Sequence, residues 1–137
     1  MTKAPKKDFQ SIPGMPVRQA RGQTNHFAGY AAEDAVTRDY AARGYEEVSR
    51  RWRGKAGEID LIVRDGNGLV FVEVKSSRDF NKAAQLLTPR QIQRLQRAAE
   101  EFLGTQPNGQ LTDMRFDVAL VDRFGTIAVV ENALVAM

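Results

Sequence analysis

The densest apolar patterning lies mid-chain, in Ile59-Asp60-Leu61-Ile62-Val63 and in Leu69-Val70-Phe71-Val72-Glu73-Val74-Lys75. Both stretches are short and rich in β-branched residues, and Asp65-Gly66-Asn67-Gly68 between them is turn chemistry. They predict an antiparallel hairpin of strands over 57–63 and 69–75. Upstream, Ala28, Ala32, Ala35, Val36 and Tyr40 recur at helical spacing and predict a helix over 26–43. Thr24 or Asn25 suits its start and Gly44 its stop. Tyr45 to Ser49 is a weaker strand pattern. Residues 76–87 are polar and read as a loop or short turn. Thr88-Pro89-Arg90-Gln91 then opens a second helix, with Thr88 as N-cap, Pro89 at the first position and Gln91 placed for a capping box. Its apolar stripe is Ile92, Leu95, Ala99, Phe102 and Leu103, and Arg90, Arg94 and Arg97 fall largely off it. A break over 104–109 leads to a strand over 114–121, a turn at Asp122-Arg123-Phe124-Gly125 and a last strand over 126–131. This order predicts an α/β fold, a mixed β-sheet flanked by helices, with the second helix crossing over to the next strand. The final strand fits either a sheet edge or an interior position.

Composition narrows the class. A length of 137 residues suits one domain, expected over 26–137. The first 25 residues carry five Lys/Arg and one Asp, and residues 26–137 carry fifteen Lys/Arg and sixteen Asp/Glu. The basicity therefore belongs to a leader, expected to be flexible, which either attracts polyanions or is simply solvated. Lys3, Lys6 and Lys7 precede no apolar run, so the leader does not read as a secretory signal, and no run of about 18 apolar residues predicts a membrane span. Cysteine is absent, which excludes disulfides and thiol chemistry and is compatible with the cytoplasm, the expected compartment. One histidine, His26, excludes a multi-histidine zinc site within one chain.

The candidate chemistry sits in the hairpin. Asp60, Glu73 and Lys75 interrupt strands that are otherwise core-like. Alternation puts Glu73 and Lys75 on one face, and Glu58, Asp60 and Ile62 on one face. Strands lie about 4.8 Å apart, so Asp60 and Glu73 reach a common point if the register allows. Two adjacent half-buried carboxylates are unfavourable unless one is protonated or a cation bridges them. Oxygen ligands select hard ions, Mg²⁺ or Mn²⁺. Lys75 is then placed to hold an attacking water or to offset charge on a phosphate. The competing reading is a same-face surface ion pair of Glu73 and Lys75, worth under about 1 kcal/mol. Val70, Phe71, Val72 and Val74 are apolar on both parities, which argues against an exposed face. Arg50, Arg51, Arg53 and Lys55 surround Trp52 just before the first of these strands, a pattern suited to phosphate contact, with Trp52 itself read as a core anchor. Glu33 lies at the rim of the first helix's apolar stripe and by itself reads as solvated.

Asp60 followed by Glu73-Val74-Lys75 resembles the PD-(D/E)XK signature of restriction-endonuclease-like nucleases. The chain is most similar to the bacterial YraN family, relatives of the archaeal Holliday junction resolvases. The similarity runs through Gly29 to Glu33, Arg50 to Lys55, Gly57 to Ile62 and Val70 to Lys75, and covers roughly residues 26–131. It implies a mixed sheet between helices and a metal-dependent DNA endonuclease, acting on branched or damaged DNA and plausible as a homodimer. By the same resemblance Asp60, Glu73 and the Val74 carbonyl are metal ligands, Lys75 is the catalytic lysine, and Glu33 is a helix-borne acid that completes the site. Two departures stand out. Ser76-Ser77-Arg78 shifts an arginine by one position, and Gln91 stands where the family's second helix usually has a lysine. Gln91 is thus either a site residue or only part of the cap. The alternative function is a nucleic-acid-binding module with a degenerate nuclease core that works through a partner protein.

Overall fold

The computed structural model describes residues 24–133, with side chains from Gly29 onward. Most of the expected leader lies outside this range. Helix α1 spans Thr24–Ala42, so the last two residues assigned to the leader, Thr24 and Asn25, belong to the helix and do not precede it. It is followed by strands β1 (Glu46–Arg53), β2 (Glu58–Asp65) and β3 (Gly68–Ser76), helices α2 (Phe80–Ala84) and α3 (Pro89–Leu103), a single 3-10 turn at Gly109–Leu111, and strands β4 (Met114–Val121) and β5 (Ile127–Val130).

The five strands form one sheet in the order β1-β2-β3-β4-β5. All neighbours are antiparallel except β3 and β4, which are parallel and joined by the α2–α3 crossover. That is the mixed α/β sheet the hydrophobic pattern predicts, and β5 takes the edge position. The β2–β3 turn closes at Asp65 opposite Gly68, and Gly66 supplies the positive φ of 62° that a two-residue turn needs at its first position.

Helices cover both faces. Under α1, Ala32, Ala35, Val36 and Tyr40 pack on Leu61, Val63, Val70, Val72, Ala119 and Val121. Under α3, Ala98, Ala99, Phe102 and Leu103 pack on Ile62, Leu69 and Phe71, with Trp52 against Phe102 at 5.3 Å between ring centroids. Trp52 is therefore the core anchor expected. Ala83 of α2 covers Val118 and Leu120 on the same side. Two expectations change. The polar stretch 76–87 contains helix α2, started by Asp79, whose Oδ1 accepts the Lys82 N–H at 2.9 Å. The weaker strand expected over 45–49 runs on through the basic segment to Arg53, carried there by pairing of Arg50, Trp52 and Arg53 with Leu61, Ile59 and Glu58.

A buried charge braces the α1 face. Asp117 is 1% exposed. It accepts from Tyr40 Oη at 2.7 Å, from Arg115 Nε at 2.9 Å and from the Asn132 N–H at 3.0 Å. Sequence periodicity gave no sign of it, because one acid in an alternating strand looks like a solvent-facing position. Removing it strands a phenol and a backbone donor and leaves the Arg115 Nε without its acceptor, although that guanidinium keeps Asp65 and Tyr45. Asp117→Ala is expected to cost about 3–5 kcal/mol in urea unfolding, whereas Leu111→Ser, at a site 87% exposed, should stay within about 0.5 kcal/mol.

Candidate active site

The hairpin forks at the residues with chemistry. The β2–β3 ladder runs from Asp65–Gly68 to Leu61–Val72 and stops there. Yet β2 continues to Glu58 on β1, and β3 continues to Ser76 on β4. Asp60 and Glu73 are the next pair in register, at the mouth of this fork. Asp60 Oδ2 accepts the Val74 N–H at 2.8 Å, so a side chain satisfies a backbone donor that the ladder no longer reaches.

The expected shared face of Glu58, Asp60 and Ile62 needs correction. Leu61 packs under α1 and Ile62 under α3, but Ile59 also packs under α3. The alternation of β2 thus breaks at Asp60. Arg51, in register opposite Asp60 on β1, has a φ of 53°, a left-handed conformation that costs a non-glycine residue about 1–3 kcal/mol. This local turn of the strand lets Asp60 address both sheet faces. From β3, Glu73 and Lys75 share the parity of Leu69 and Phe71 and face α3. Lys75 Nζ lies 3.0 Å from Glu73 Oε2, with both side chains largely covered.

A cleft of about 190 Å³ opens here, lined by Glu58, Asp60, Glu73, Gln91, Arg94 and Leu95. Gln91 has both candidate roles, in different atoms. Its N–H donates to Thr88 Oγ1 at 3.2 Å, completing the helix cap. Its side chain lines the cleft, and Oε1 is buried without a hydrogen-bond partner. The return half of a capping box, which that oxygen would accept, is not formed.

Glu33 approaches from α1. Burial, and then the negative charge of Asp60, push its carboxyl up to about 7, against the pull of Arg51, which lies 2.7 Å away. It neighbours Asp60 without being among the residues that line the cleft. Glu73 is likewise pushed up to about 7, by burial first and by Asp60 second. Asp60 is raised by burial, opposed chiefly by its bond from Val74. Asp60 thus has a raised carboxyl on either side, Glu33 on α1 and Glu73 on β3.

Among the described residues no group of three or more His, Cys, Asp or Glu side chains is arranged to hold a metal ion. A hexa-oxygen cage is therefore not prebuilt. What the residues present do fit is a smaller oxygen donor set: two adjoining carboxylates, Asp60 and Glu73, beside an unsatisfied buried amide oxygen. A magnesium-like ion is usually bound by one or two carboxylates and keeps several waters.

Two residues outside the initial candidates position this site. The segment Gly54-Lys55-Ala56-Gly57 is squeezed between β1 and α3. Glu101 accepts the Lys55 N–H at 2.9 Å and the Ala56 N–H at 3.3 Å. A Cβ on Gly54 would meet Glu101 Oε1 and Trp52 at 2.5 Å, and one on Gly57 would meet the Arg94 stem at 2.8 Å. The glycines three apart were the available signal, since a backbone approached by side chains tolerates nothing larger. The basic cluster, in contrast, is mostly neutralised. Arg50 lies 2.6 Å from Asp34 and Arg53 3.2 Å from Glu58, while Arg51, held by Glu33, also stacks on Tyr30. Lys55 is exposed.

A five-stranded mixed sheet between helices, with an acid on one strand of a forked hairpin and Glu-x-Lys on the next, is the core of a restriction-endonuclease-like protein. The model of the uncharacterised protein family UPF0102 matches residues 32–121. Similar chains include UPF0102 proteins of Ruegeria pomeroyi, 60% identical over 87% of this chain and 97% of the relative, and of Cereibacter sphaeroides, 52% identical over 84% and 98%. A UPF0102 protein of Roseobacter denitrificans is 48% identical over 88% of this chain and 95% of its own. The chain belongs to the UPF0102 family, also called YraN, within the restriction-endonuclease-like superfamily.

Two outcomes follow for stability. Glu33 and Glu73 have folded pKa values near 7 against an ordinary 4.5. The folded chain then binds more protons than the unfolded chain between these limits, so stability should fall as pH rises from about 4.5 through 7. Urea unfolding across that window should show the decline, with a shallower slope in Glu73→Gln. Gly54→Ala should lose about 1–3 kcal/mol through overpacking against Glu101 and Trp52.

Proposed function

We propose that this chain is a metal-dependent endonuclease that hydrolyses phosphodiester bonds of DNA, with branched and damaged DNA as the substrates to test first. The observation that carries the reading is the crowding of Asp60 and Glu73 at the fork, beside Lys75 and the unsatisfied Gln91. Asp60 and Glu73 would hold Mg²⁺ or Mn²⁺, with the Val74 carbonyl and water in further positions. When bound, the ion supplies an acidified water and offsets charge on the phosphate.

The chain's own residues do the rest. The Val74 N–H fixes the Asp60 carboxylate at the cleft without a search among rotamers. Lys75 places an ammonium 3.0 Å from Glu73, where a phosphate passing to its pentavalent state would gain negative charge. Gln91 offers its amide to orient a water or a phosphate oxygen. Glu33, bordering Asp60 from α1, adds the acid that raises the demand for a cation. Incision of both strands of a junction would require two copies, and β5, an edge strand among the described residues, is where a homodimer could pair.

One observation favours the second reading, a nucleic-acid-binding module whose core does not cut and which acts through a partner. Glu73 is engaged by Lys75 and Glu33 by Arg51, so two of the three acids are already neutralised within the chain.

Ion titration and cleavage assays on linear, flapped and four-way DNA separate the two. The wild type is expected to bind the ion and cut. Asp60→Asn should lose both. Lys75→Met should keep ion binding and lose cleavage by about 100-fold or more. Ion binding by a wild type that never cuts would support the binding module. A wild type that does neither would leave the hairpin acids a structural role only.

A further inference from the structure

The basic residues around the cleft fall into two sets. On β1, Arg50, Arg51 and Arg53 each lie within 3.2 Å of a carboxylate. On α3, Arg90, Arg94 and Arg97 are exposed, and their guanidinium groups have no ion-pair or hydrogen-bond partner among the described residues. Their spacing of four and then three residues places them on one helix face. At about 1.5 Å per residue the row spans about 10 Å, close to three phosphate steps along a duplex at about 3.4 Å each.

The row is tied to the cleft by Arg94. Its stem lies against Gly57, which has no side chain to displace it, and the residue lines the cleft together with Asp60 and Glu73. Glu101, the next residue on that face, spends its carboxylate on the Lys55 and Ala56 N–H groups. Glu58, the other acid lining the cleft, pairs with Arg53. A guanidinium that borders three acids yet pairs with none is left available to a ligand anion.

We propose that the DNA backbone is gripped by the arginine face of α3, with Arg94 taking the phosphate at the cleft, and not by the arginines of β1. The identity of the polyanion rests on the nuclease reading above. A phosphodiester presents two non-bridging oxygens. A cleft with carboxylates on one wall and a guanidinium on the other addresses them separately, with Arg94 donating a charge-assisted bond to one.

The test is the salt dependence of duplex binding by the full chain, followed by fluorescence anisotropy in EDTA between 50 and 200 mM salt. Each phosphate contact contributes about 0.9 to the slope of log K against log salt. R90Q/R94M/R97Q keeps the Arg94 stem on Gly57 and removes three charges, and its slope should be shallower by about 2.7. R90Q/R97Q should lose about 1.8, and R90K/R94K/R97K should keep the wild-type slope. R50Q/R53Q should leave the slope unchanged. A wild-type slope in the folded α3 triple variant, or a loss confined to the β1 pair, overturns the proposal. If the wild type cuts DNA while the α3 slope is unaltered, this inference alone fails. If the wild type neither binds nor cuts DNA, the nuclease reading fails with it.

Discussion

The structure turns on one hydrogen bond, from the Val74 N–H to Asp60 Oδ2 at 2.8 Å. At this point two strands of a hairpin stop pairing with each other but go on pairing with their outer neighbours. A sheet interior that forks exposes backbone donors, and an unpaired buried donor costs on the order of 1–3 kcal/mol. Asp60 removes that cost. In doing so it becomes a half-buried carboxylate beside a second one, Glu73, and a third, Glu33. The same contact thus closes the fold and concentrates negative charge where the strands part. Stability and chemistry pull against each other here, and the raised pKa values of Glu33 and Glu73 record the conflict.

The surroundings keep that strained point in place. Arg51 adopts a left-handed backbone opposite Asp60 and donates to Glu33 at 2.7 Å. On the other side α3 clamps the preceding loop, with Glu101 accepting two of its N–H groups and the Arg94 stem pressed on Gly57. Asp117, in register with Val72 just before the fork, ties α1 to β4 through Tyr40 and so fixes the helix that presents Glu33. Helices on both faces therefore hold the fork open.

Much of this was legible in the residues. The hairpin, its turn, the α3 cap and the β4 strand follow from local patterns that tertiary context did not override. Asp60, Glu73 and Lys75 were conspicuous because charges in strands apolar on both parities need a purpose. Other features were not legible. Helix α2 lies in a polar stretch with only five residues, too short for a periodic signal. The extension of β1 through Arg53 depends on pairing with β2, which outweighs the charge of the segment. The break in alternation at Asp60 is a cooperative product of the fork, the Arg51 backbone and the glycine loop, so a period-two rule fails there. Arg94 and Glu101 act on residues about 40 positions away in sequence, and only a folded chain shows that the two loop glycines are spaces made for them.

We propose that Asp60 and Glu73 at the fork form a site for a hard divalent cation. The most direct test is calorimetric titration of the chain with Mn²⁺ at pH 6.5, repeated in two buffers of different ionisation enthalpy, which reports protons released as well as ions bound. One bound ion is expected, with release of roughly 0.5 to 1 proton as the raised carboxyl of Glu73 is forced to ionise. Saturable binding with no proton release, or no binding at millimolar Mn²⁺, would contradict it.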